Sequence, residues 1–438
     1  MRHPPDWRKH LTSDVLGKML NSPEMSDLLR RVEKNYYYWD KFRHLKFPHD
    51  VKAEEAWAYI KLRRPVTEQT PILSLKGESF VYSLTKTIHQ RLNFIDMHAA
   101  GVKSLNQGLH DMQASRFIMS SLTEEAIASS QIEGANTTRK VAKEMLLTAR
   151  APRNRDEQMI LNNYRMMQRV ESWKGLELTE SILIEMQSTL TENVLSEEDG
   201  RGRFRRDDDD IVIHDPLSGE IVHRPPPAEE MRTEVGRLLA YANSEDEDGE
   251  FTHPVIKAAI LHFWLSYLHP FVDGNGRSAR ALFYWYLLKR EYWLVQYTAV
   301  SRAIKLSRKA YDDSFLQSEL DDNDLTYFLL YITRVFEQAV EQFLAYFKEK
   351  QREAQLLKDR VSKTSHYNAR QLSLLSYFRN HEKETVDVVT HQNKNGVSRP
   401  TAYNDLHALV SAGLLTEMRR GKKFIYVPNI NKIKRLIG

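Results

Sequence analysis

HPFVDGNGRSAR, residues 269–280, connects a long apolar helical pattern, VIKAAILHFWLSYL, to a second one, ALFYWYLLKR. Pro270 ends the first helix, because proline lacks an amide hydrogen and disfavours helical geometry in the residue before it. Gly274 and Gly276 permit positive φ and close approach of a ligand to the backbone at the start of the second helix. The free amides and the positive dipole end of that helix favour a phosphate. The stretch therefore predicts a buried helix and a second helix joined by an anion-binding loop.

The polar side chains of this stretch have the chemistry of a nucleotide-phosphate site. Arg277 and Arg280 are three residues apart, so they share a face of the first helical turn and can contact two different phosphates. Asp273 offers an oxygen ligand that suits Mg²⁺. His269 is the only group of the stretch that can accept a proton near neutral pH. A GNG turn alone is a weak signal and a single histidine is usually structural, but their combination in one window favours a functional site.

The fold class predicted for the whole chain is mainly α. Apolar residues recur at helical spacing from residue 106 to 345, and residues 1–105 alternate between helical and irregular patterns. An aromatic cluster in the N-terminal region, NYYYWDKFRHLKFP at 35–48, is expected in a core or an interface. A charged helical linker, residues 346–364, leads to a tail of different character at 365–438.

One interruption of the helical pattern predicts a β-hairpin. Two short β-prone runs at 211–213 and 221–223 flank HDPLSGE, which is rich in turn formers. The acidic run at 207–210 has the composition of a metal cluster. Consecutive carboxylates point in different directions, however, which favours a solvated charge run. The hairpin candidate spans residues 209–224.

The tail has the pattern of a winged helix-turn-helix domain. Three helical segments precede LLTEMRRGKKFIYVPN, in which two strand-like runs surround a basic turn. Basic residues outnumber acidic ones in the tail, as expected for phosphate contact. Winged helices also serve as protein-docking or dimerisation modules, so DNA binding is one of two interpretations. The candidate contacts with DNA, at the start of the third helix and one turn on, are Arg399, Thr401, Tyr403 and Asn404.

Composition excludes several classes of function. The chain of 438 residues contains no cysteine, which excludes disulfides, cysteine-ligated zinc and a thiol nucleophile and fits a cytoplasmic location. No apolar run of membrane-spanning length and no secretion signal are seen. The net charge of +4 is too small for this length to indicate nucleic-acid binding by itself. P-loop and HExxH motifs are both missing.

Residues 269–280 resemble the signature of the Fic family of adenylyltransferases, HPFx(D/E)GNGRxxR, at every position. The resemblance implies an all-helical Fic core at 106–345 with a small β-hairpin flap at 209–224. A helical N-terminal region would precede this core, and the winged helix-turn-helix tail would follow it. The resemblance to the family also implies that AMP is transferred from Mg-ATP to a hydroxyl of a target protein. That target would dock on the flap by strand addition.

The resemblance also implies a role for each residue of the motif. His269 would be the general base, and Asp273 would hold Mg²⁺ across the α- and β-phosphates. The amides from Gly274 to Gly276, with Asn275, would form the anion hole. Arg277 would help to hold the phosphates, and Arg280 would contact the γ-phosphate.

A second motif, SSQIEGANTT at 129–138, resembles the inhibitory helix of the same family, (S/T)xxxE(G/N). Ser129 and Glu133 lie one helical turn apart on one face, and Gly134 ends the helix, which is expected at about 122–134. Glu133 would form a salt bridge with Arg280 and take the arginine that the γ-phosphate needs. ATP would then bind in a pose unfit for in-line attack.

Other functions of the same residues stay open at the level of sequence. Glu133 could instead orient a water molecule that removes AMP from a modified target. Other nucleotidyl or phosphocholine donors are also compatible with the motif, because its anion hole would bind phosphates and does not select the base. The protein could also be a DNA-binding regulator whose Fic site is a sensor. Self-modification and a homodimer that masks the site are further alternatives.

Overall fold

A computed structural model gives the structure of the protein and describes residues 1–20, 23–48, 51–64, 68–100, 114–215, 219–244, 251–361, 367–421 and 423–437. Most of these residues lie in α-helices, and the strands within these ranges pair as three separate antiparallel hairpins. The mainly α fold class predicted from the sequence is therefore confirmed. No helix in the described ranges is both long enough and apolar enough to span a membrane.

The N-terminal region is helical and contains one hairpin. Most of the aromatic cluster at 35–48 is buried, as predicted, in a core that also includes Tyr327 from further along the chain. Sequence patterning does not predict the hairpin, because its strands are short and Pro71 lies within one of them. The elements are α1 (Ser13–Leu20), α2 (Pro23–Asn35), α3 (Trp39–Phe42), α4 (Ala53–Arg63), β1 (Glu68–Leu73), β2 (Ser79–Tyr82) and α5 (Lys86–Ile95).

The central region packs a set of helices around two that are almost wholly buried. Its helices are α6 (Ala114–Ile132), α7 (Arg139–Thr148), α8 (Arg155–Trp173), α9 (Glu180–Leu190), α10 (Ala228–Asn243), α11 (Pro254–Leu268), α12 (Asn275–Lys289), α13 (Val300–Leu306), α14 (Arg308–Leu320) and α15 (Thr326–Val361). The hairpin of β3 (Ile213–His214) and β4 (Ile221–His223) lies at the position predicted for the flap. Residues 216–218, at its turn, lie outside the described residues.

Helices α11 and α12 form the centre of the molecule. Residues on all sides of α11 are buried, because the helix is apolar around its whole circumference. Phe80 of β2 packs its ring against Phe263 and Tyr267 of α11, which attaches the N-terminal hairpin to this core. The loop between α11 and α12 carries the 269–280 motif, so the motif is held by the two most buried helices of the fold.

The long helix α15 crosses the predicted boundary at residue 345 without a break. Beyond it, the tail has the element order of a winged helix-turn-helix domain and an apolar cluster of its own. A last helix follows the hairpin of the tail. The tail consists of α16 (Ala369–Asn380), α17 (Val388–Asn395), α18 (Arg399–Ser411), β5 (Leu415–Arg420), β6 (Lys423–Pro428) and α19 (Ile430–Ile437).

Candidate active site

His269 lies at the end of α11 in a left-handed backbone conformation with φ of 45°. A positive φ is uncommon outside glycine and turns the chain sharply out of the helix. The Nδ1 atom lies 3.2 Å from the carbonyl oxygen of Ser266, and since a carbonyl only accepts, Nδ1 carries the hydrogen. Burial lowers the pKa of His269 to about 4, although the hydrogen bond to Ser266 favours the charged form. The imidazole is therefore neutral at physiological pH, with Nε2 free to accept a proton.

The loop after His269 is held in shape by the side chain of Asn275. Its Oδ1 accepts a hydrogen bond from the Phe271 amide at 2.9 Å, and its Nδ2 donates to the Phe271 carbonyl at 2.7 Å. Gly274 precedes α12 with φ of 90°, a conformation that side chains rarely adopt. The side chain of Asn275 is thus committed to the loop, and its contribution to an anion site is through the backbone.

Two arginines of α12 are buried beside this loop. Arg277 is fully buried and donates from Nη1 to the Leu190 carbonyl at 2.8 Å. Arg280 is 3% exposed and donates from Nε to the Ser129 hydroxyl at 2.8 Å. Within the described part of the chain, Nε of Arg277 and Nη1 of Arg280 are buried without a hydrogen-bond partner. Buried unpaired donors are costly, so these two atoms fit a site that receives an anion.

Asp273 lies at the edge of the same site and pairs with arginines. Its Oδ1 accepts from the Gly274 amide at 2.6 Å and lies 3.2 Å from Nη2 of Arg277, while Oδ2 lies 3.6 Å from Nη2 of Arg155. No group of three or more metal-ligating side chains occurs among the described residues. Mg²⁺ commonly binds proteins through one or two carboxylates plus substrate phosphates and waters. A single carboxylate beside a helix N-terminus, where free amides can bind a phosphate, fits that mode of binding.

Glu133, in the turn after α6, lies against Arg280 and beside the first turn of α12. Its Oε1 lies 2.9 Å from Nη2 of Arg280, which is the ion pair expected from the sequence. Burial opposes ionisation of Glu133, but the charges of Arg280, Arg308 and Arg277 outweigh it and lower the pKa of the carboxyl. A methyl group on Gly276 would collide with this carboxylate, so Glu133 sits directly over the N-terminus of α12.

Ser129 and Gly134 complete the segment predicted to be inhibitory. The hydroxyl and the carbonyl oxygen of Ser129 both accept hydrogen bonds from Arg280, at 2.8 and 3.0 Å. Gly134 follows α6 with φ of 93°, as expected for a glycine that ends a helix. Ser129 and Glu133 therefore both contact Arg280, although they are about 150 positions away from it in the sequence.

Two further contacts fix α6, and sequence reasoning did not predict either. Arg308 at the start of α14 donates to the carbonyl of Ile132 and also pairs with Asp312 at 2.8 Å. Glu125, which is 1% exposed, accepts from the Ser301 amide at 2.8 Å and from the Tyr284 hydroxyl at 2.9 Å. Burial raises the pKa of Glu125. The spacing of Glu125, Ser129 and Glu133 at intervals of four residues is the sequence signal that could have identified Glu125.

The flap hairpin is anchored beside the site. The Nε2 atom of His223, on β4, lies 2.8 Å from the Tyr267 carbonyl oxygen. Its Nδ1 atom lies 2.8 Å from Oε2 of Glu319. Burial lowers the pKa of the His223 imidazole, but the hydrogen bond and the negative charge of Glu319 outweigh this effect. The net result is a raised pKa. Arg205, just before the flap, donates to the His269 carbonyl at 2.8 Å. The run GRGRFRR at residues 200–206 therefore contributes an arginine that positions His269, a contact that has no signal in the local sequence.

The residues predicted to contact nucleic acid lie on α18 in the tail. Arg399, Tyr403 and Asn404 are exposed. Thr401 is half-buried, and its amide and hydroxyl contact the hydroxyl of Ser398, which caps the helix. Of the four predicted contact residues, three are therefore exposed, and Thr401 is engaged in the cap.

Comparisons with known proteins agree with this site. Residues 177–287, which include the 269–280 motif, match the model of the Fic/DOC family. The chain is 28% identical over 123 residues to "Protein adenylyltransferase Fic" of Nematostella vectensis and 39% identical over 70 residues to the protein of the same name of Drosophila mojavensis. These matches cover 28% and 16% of this chain and 26% and 14% of the relatives. The chain thus spans about a quarter or less of the length of these curated relatives.

A solved structure extends the similarity in fold beyond the matched segment. A Fic family protein from Desulfovibrio desulfuricans G20 superposes with a TM-score of 0.51 at 19% identity, and the superposition covers 80% of this chain and 98% of that one. At this identity the likeness concerns the fold alone. The family match, the named relatives and the shared fold agree with the motif at residues 269–280, and the chain contains a Fic/DOC-family domain.

Proposed function

We propose that this protein transfers AMP from ATP to a hydroxyl group of a target protein or of itself, and that Glu133 inhibits the transfer. The observation that carries the proposal is the Glu133–Arg280 ion pair at 2.9 Å, over the amide end of α12. A carboxylate held there occupies the place that suits a phosphate, and it neutralises the arginine that would bind one. Release of Glu133 would open a cationic pocket next to a neutral histidine.

The transfer follows from the arrangement around His269. Nε2 accepts the proton of the target hydroxyl while that oxygen attacks the α-phosphorus of ATP. The bond between the α-phosphorus and the bridging oxygen breaks, pyrophosphate leaves, and AMP remains on the target through a phosphodiester. The α12 amides and the free donors of Arg277 and Arg280 would stabilise the charge on the phosphates. Asp273 would hold Mg²⁺ beside them, and the ion would neutralise further charge.

ATP that carries a label at different positions distinguishes AMP transfer from phosphorylation. A Glu133→Gly variant incubated with a cell lysate should incorporate more label than the lysate alone from α-labelled ATP and from adenine-labelled ATP, and no more than the lysate alone from γ-labelled ATP. An increase confined to the γ-label would indicate phosphorylation and would refute AMP transfer. Loss of AMP from a pre-modified target, without incorporation from ATP, would assign the site to AMP removal instead.

The neutral state of His269 leads to a pH prediction. Burial lowers the pKa of His269 to about 4, so the base remains unprotonated well below neutral pH. AMP transfer by the Glu133→Gly variant should therefore be nearly constant between about pH 8 and pH 6 and should fall only as pH approaches the lowered pKa. Initial rates at saturating ATP and Mg²⁺ measure this dependence. An inflection at the ordinary histidine value of 6.5 would contradict the geometry proposed for the base.

A second candidate function, binding of duplex DNA by the tail, is favoured by its exposed basic surface. Arg419, Arg420 and Lys423 at the tip of the β5–β6 hairpin are exposed, as is Arg399 at the start of α18. A helix N-terminus and a neighbouring hairpin of this charge suit the phosphates on both sides of a groove. Fold alone does not decide function, so the test is electrostatic.

The DNA candidate predicts a salt-dependent affinity. The logarithm of the binding constant should fall linearly with the logarithm of salt concentration, because each phosphate contact releases counterions. An Arg419→Ala/Arg420→Ala double variant should lower the slope by about 2. Arg30→Ala, at an exposed arginine of α2, is the matched control and should leave the slope unchanged. A gel shift with a labelled duplex measures these slopes, and binding that ignores salt would contradict the assignment.

A further inference from the structure

The tail contacts the catalytic region through α17, which packs against both α6 and α7. The side-chain amide of Asn393 on α17 donates to the carbonyl oxygen of Leu147 at 2.8 Å. Leu147 lies in the last turn of α7, where carbonyl groups have no partner within their own helix. The tail therefore caps the C-terminus of a helix in the catalytic region, across 246 positions of sequence.

The two helices that α17 contacts are those on either side of Glu133. The turn from 133 to 138 joins α6 to α7, and it is tied internally to both of them. Gln131 on α6 donates to the Thr137 carbonyl at 2.8 Å, and the Thr138 side chain accepts from the Val141 amide at the start of α7. A shift of either helix is thus passed to the turn and to the carboxylate that contacts Arg280.

The contact between the tail and this helix pair is not part of a common apolar core. The cluster that holds α6, α7 and α8 together consists of Ile127, Ala142, Met145 and Ile160, and it is separate from the apolar cluster of the tail. Contacts between separately packed units open at a lower free energy than the units themselves unfold. The α17 contact can therefore be made and lost while both units stay folded.

We propose that α17 restrains the α6–turn–α7 segment in its inhibitory position, so that loss of the α17 contact releases Glu133 from Arg280. The proposal rests on the proposed function, since it makes the tail a regulator of the same AMP-transfer site. Any ligand that prefers the tail with α17 detached would raise AMP transfer, and by thermodynamic linkage occupancy of the nucleotide site would favour detachment. The tail is thereby a second place from which inhibition is controlled.

The test compares two asparagine variants of the full-length chain. Asn393→Ala removes the hydrogen bond to Leu147, whereas Asn380→Ala changes an exposed residue at the end of α16. One hydrogen bond contributes about 1 kcal/mol, which corresponds to a factor of about 5. Asn393→Ala should therefore raise both AMP transfer and amide hydrogen exchange in residues 114–148 by about fivefold. Asn380→Ala should match the wild type in both measurements.

The Glu133→Gly background separates this proposal from the proposed function. Because inhibition is already removed there, adding Asn393→Ala should change AMP transfer by less than about twofold. Unchanged exchange in 114–148, or faster exchange with unchanged AMP transfer while Glu133→Gly is active, would overturn the restraint. If Glu133→Gly is itself inactive, the proposed function fails, and the restraint is then decided by the exchange rates alone.

Discussion

Replacing Glu133 with glycine should raise AMP transfer on the order of a hundredfold. Glu133 forms an ion pair at 2.9 Å with Arg280, and the arginine is almost fully buried. Removal of the carboxylate leaves the buried Arg280 without its anionic partner, and an arriving γ-phosphate can take that place and gain the charge-assisted hydrogen bonds of the arginine. Incorporation of α-labelled ATP into protein, as an initial rate for the wild type and the variant, measures the effect.

The Glu133→Gly substitution should also make the thermal stability of the protein depend more strongly on bound Mg-ATP. Without Glu133, Arg280 keeps its contacts with Ser129 but has lost the carboxylate that neutralises it. The variant should unfold at a lower temperature than the wild type in the absence of ATP, and Mg-ATP should raise its Tm by more than it raises that of the wild type. Differential scanning fluorimetry with and without Mg-ATP makes the comparison.

Two glutamine variants control for the loss of a carboxylate. Glu133→Gln keeps the size of the side chain but removes its charge, and it should raise AMP transfer by less than glycine does. Glu33→Gln removes a carboxylate from α2, where it pairs with Arg63 of α4 in the N-terminal region, and should leave the rate unchanged. A rate increase with Glu33→Gln would show that loss of a carboxylate elsewhere, and not release of Arg280, causes the activation. No incorporation by Glu133→Gly would contradict the inhibitory role.

The fold of the central helices could be predicted from the sequence because the signals are local. The apolar pattern of 255–268, the proline after it and the glycines at 274 and 276 each act within a few residues, and together they define the two buried helices and their loop. The flap was predicted for the same reason, from two β-prone runs around a turn. The β1–β2 hairpin lacks such a pattern, so its strands were not predicted.

The contacts that support the site could not be predicted, because they join distant parts of the chain. Arg205 holds the His269 carbonyl across 64 positions, and Asn393 reaches Leu147 across 246. Nothing in the sequence near these residues indicates their partners. The ion pair of Glu133 and Arg280 was expected only because two short motifs resembled one family. Asn275 illustrates the remaining limit, since its side chain is engaged with the Phe271 backbone, a contact that the motif alone does not reveal.

Replacing His269 in the Glu133→Gly background should lower AMP transfer by about two to four orders of magnitude, the range that general base catalysis supplies. His269 is neutral, with its Nδ1 hydrogen directed at the Ser266 carbonyl, so Nε2 is the acceptor for the proton of the target hydroxyl. The backbone φ of 45° makes the choice of substitute important. Asparagine tolerates this left-handed conformation better than alanine does, so His269→Asn removes the base with the least strain.

His89→Ala, at an exposed histidine of α5, is the matched control. Both variants should bind Mg-ATP, as measured by the rise in Tm, and only His269→Asn should lose AMP transfer. If His269→Asn binds Mg-ATP and transfers AMP within about tenfold of its parent, then solvent or another residue accepts the proton, and the neutral imidazole at the end of α11 serves to shape the loop.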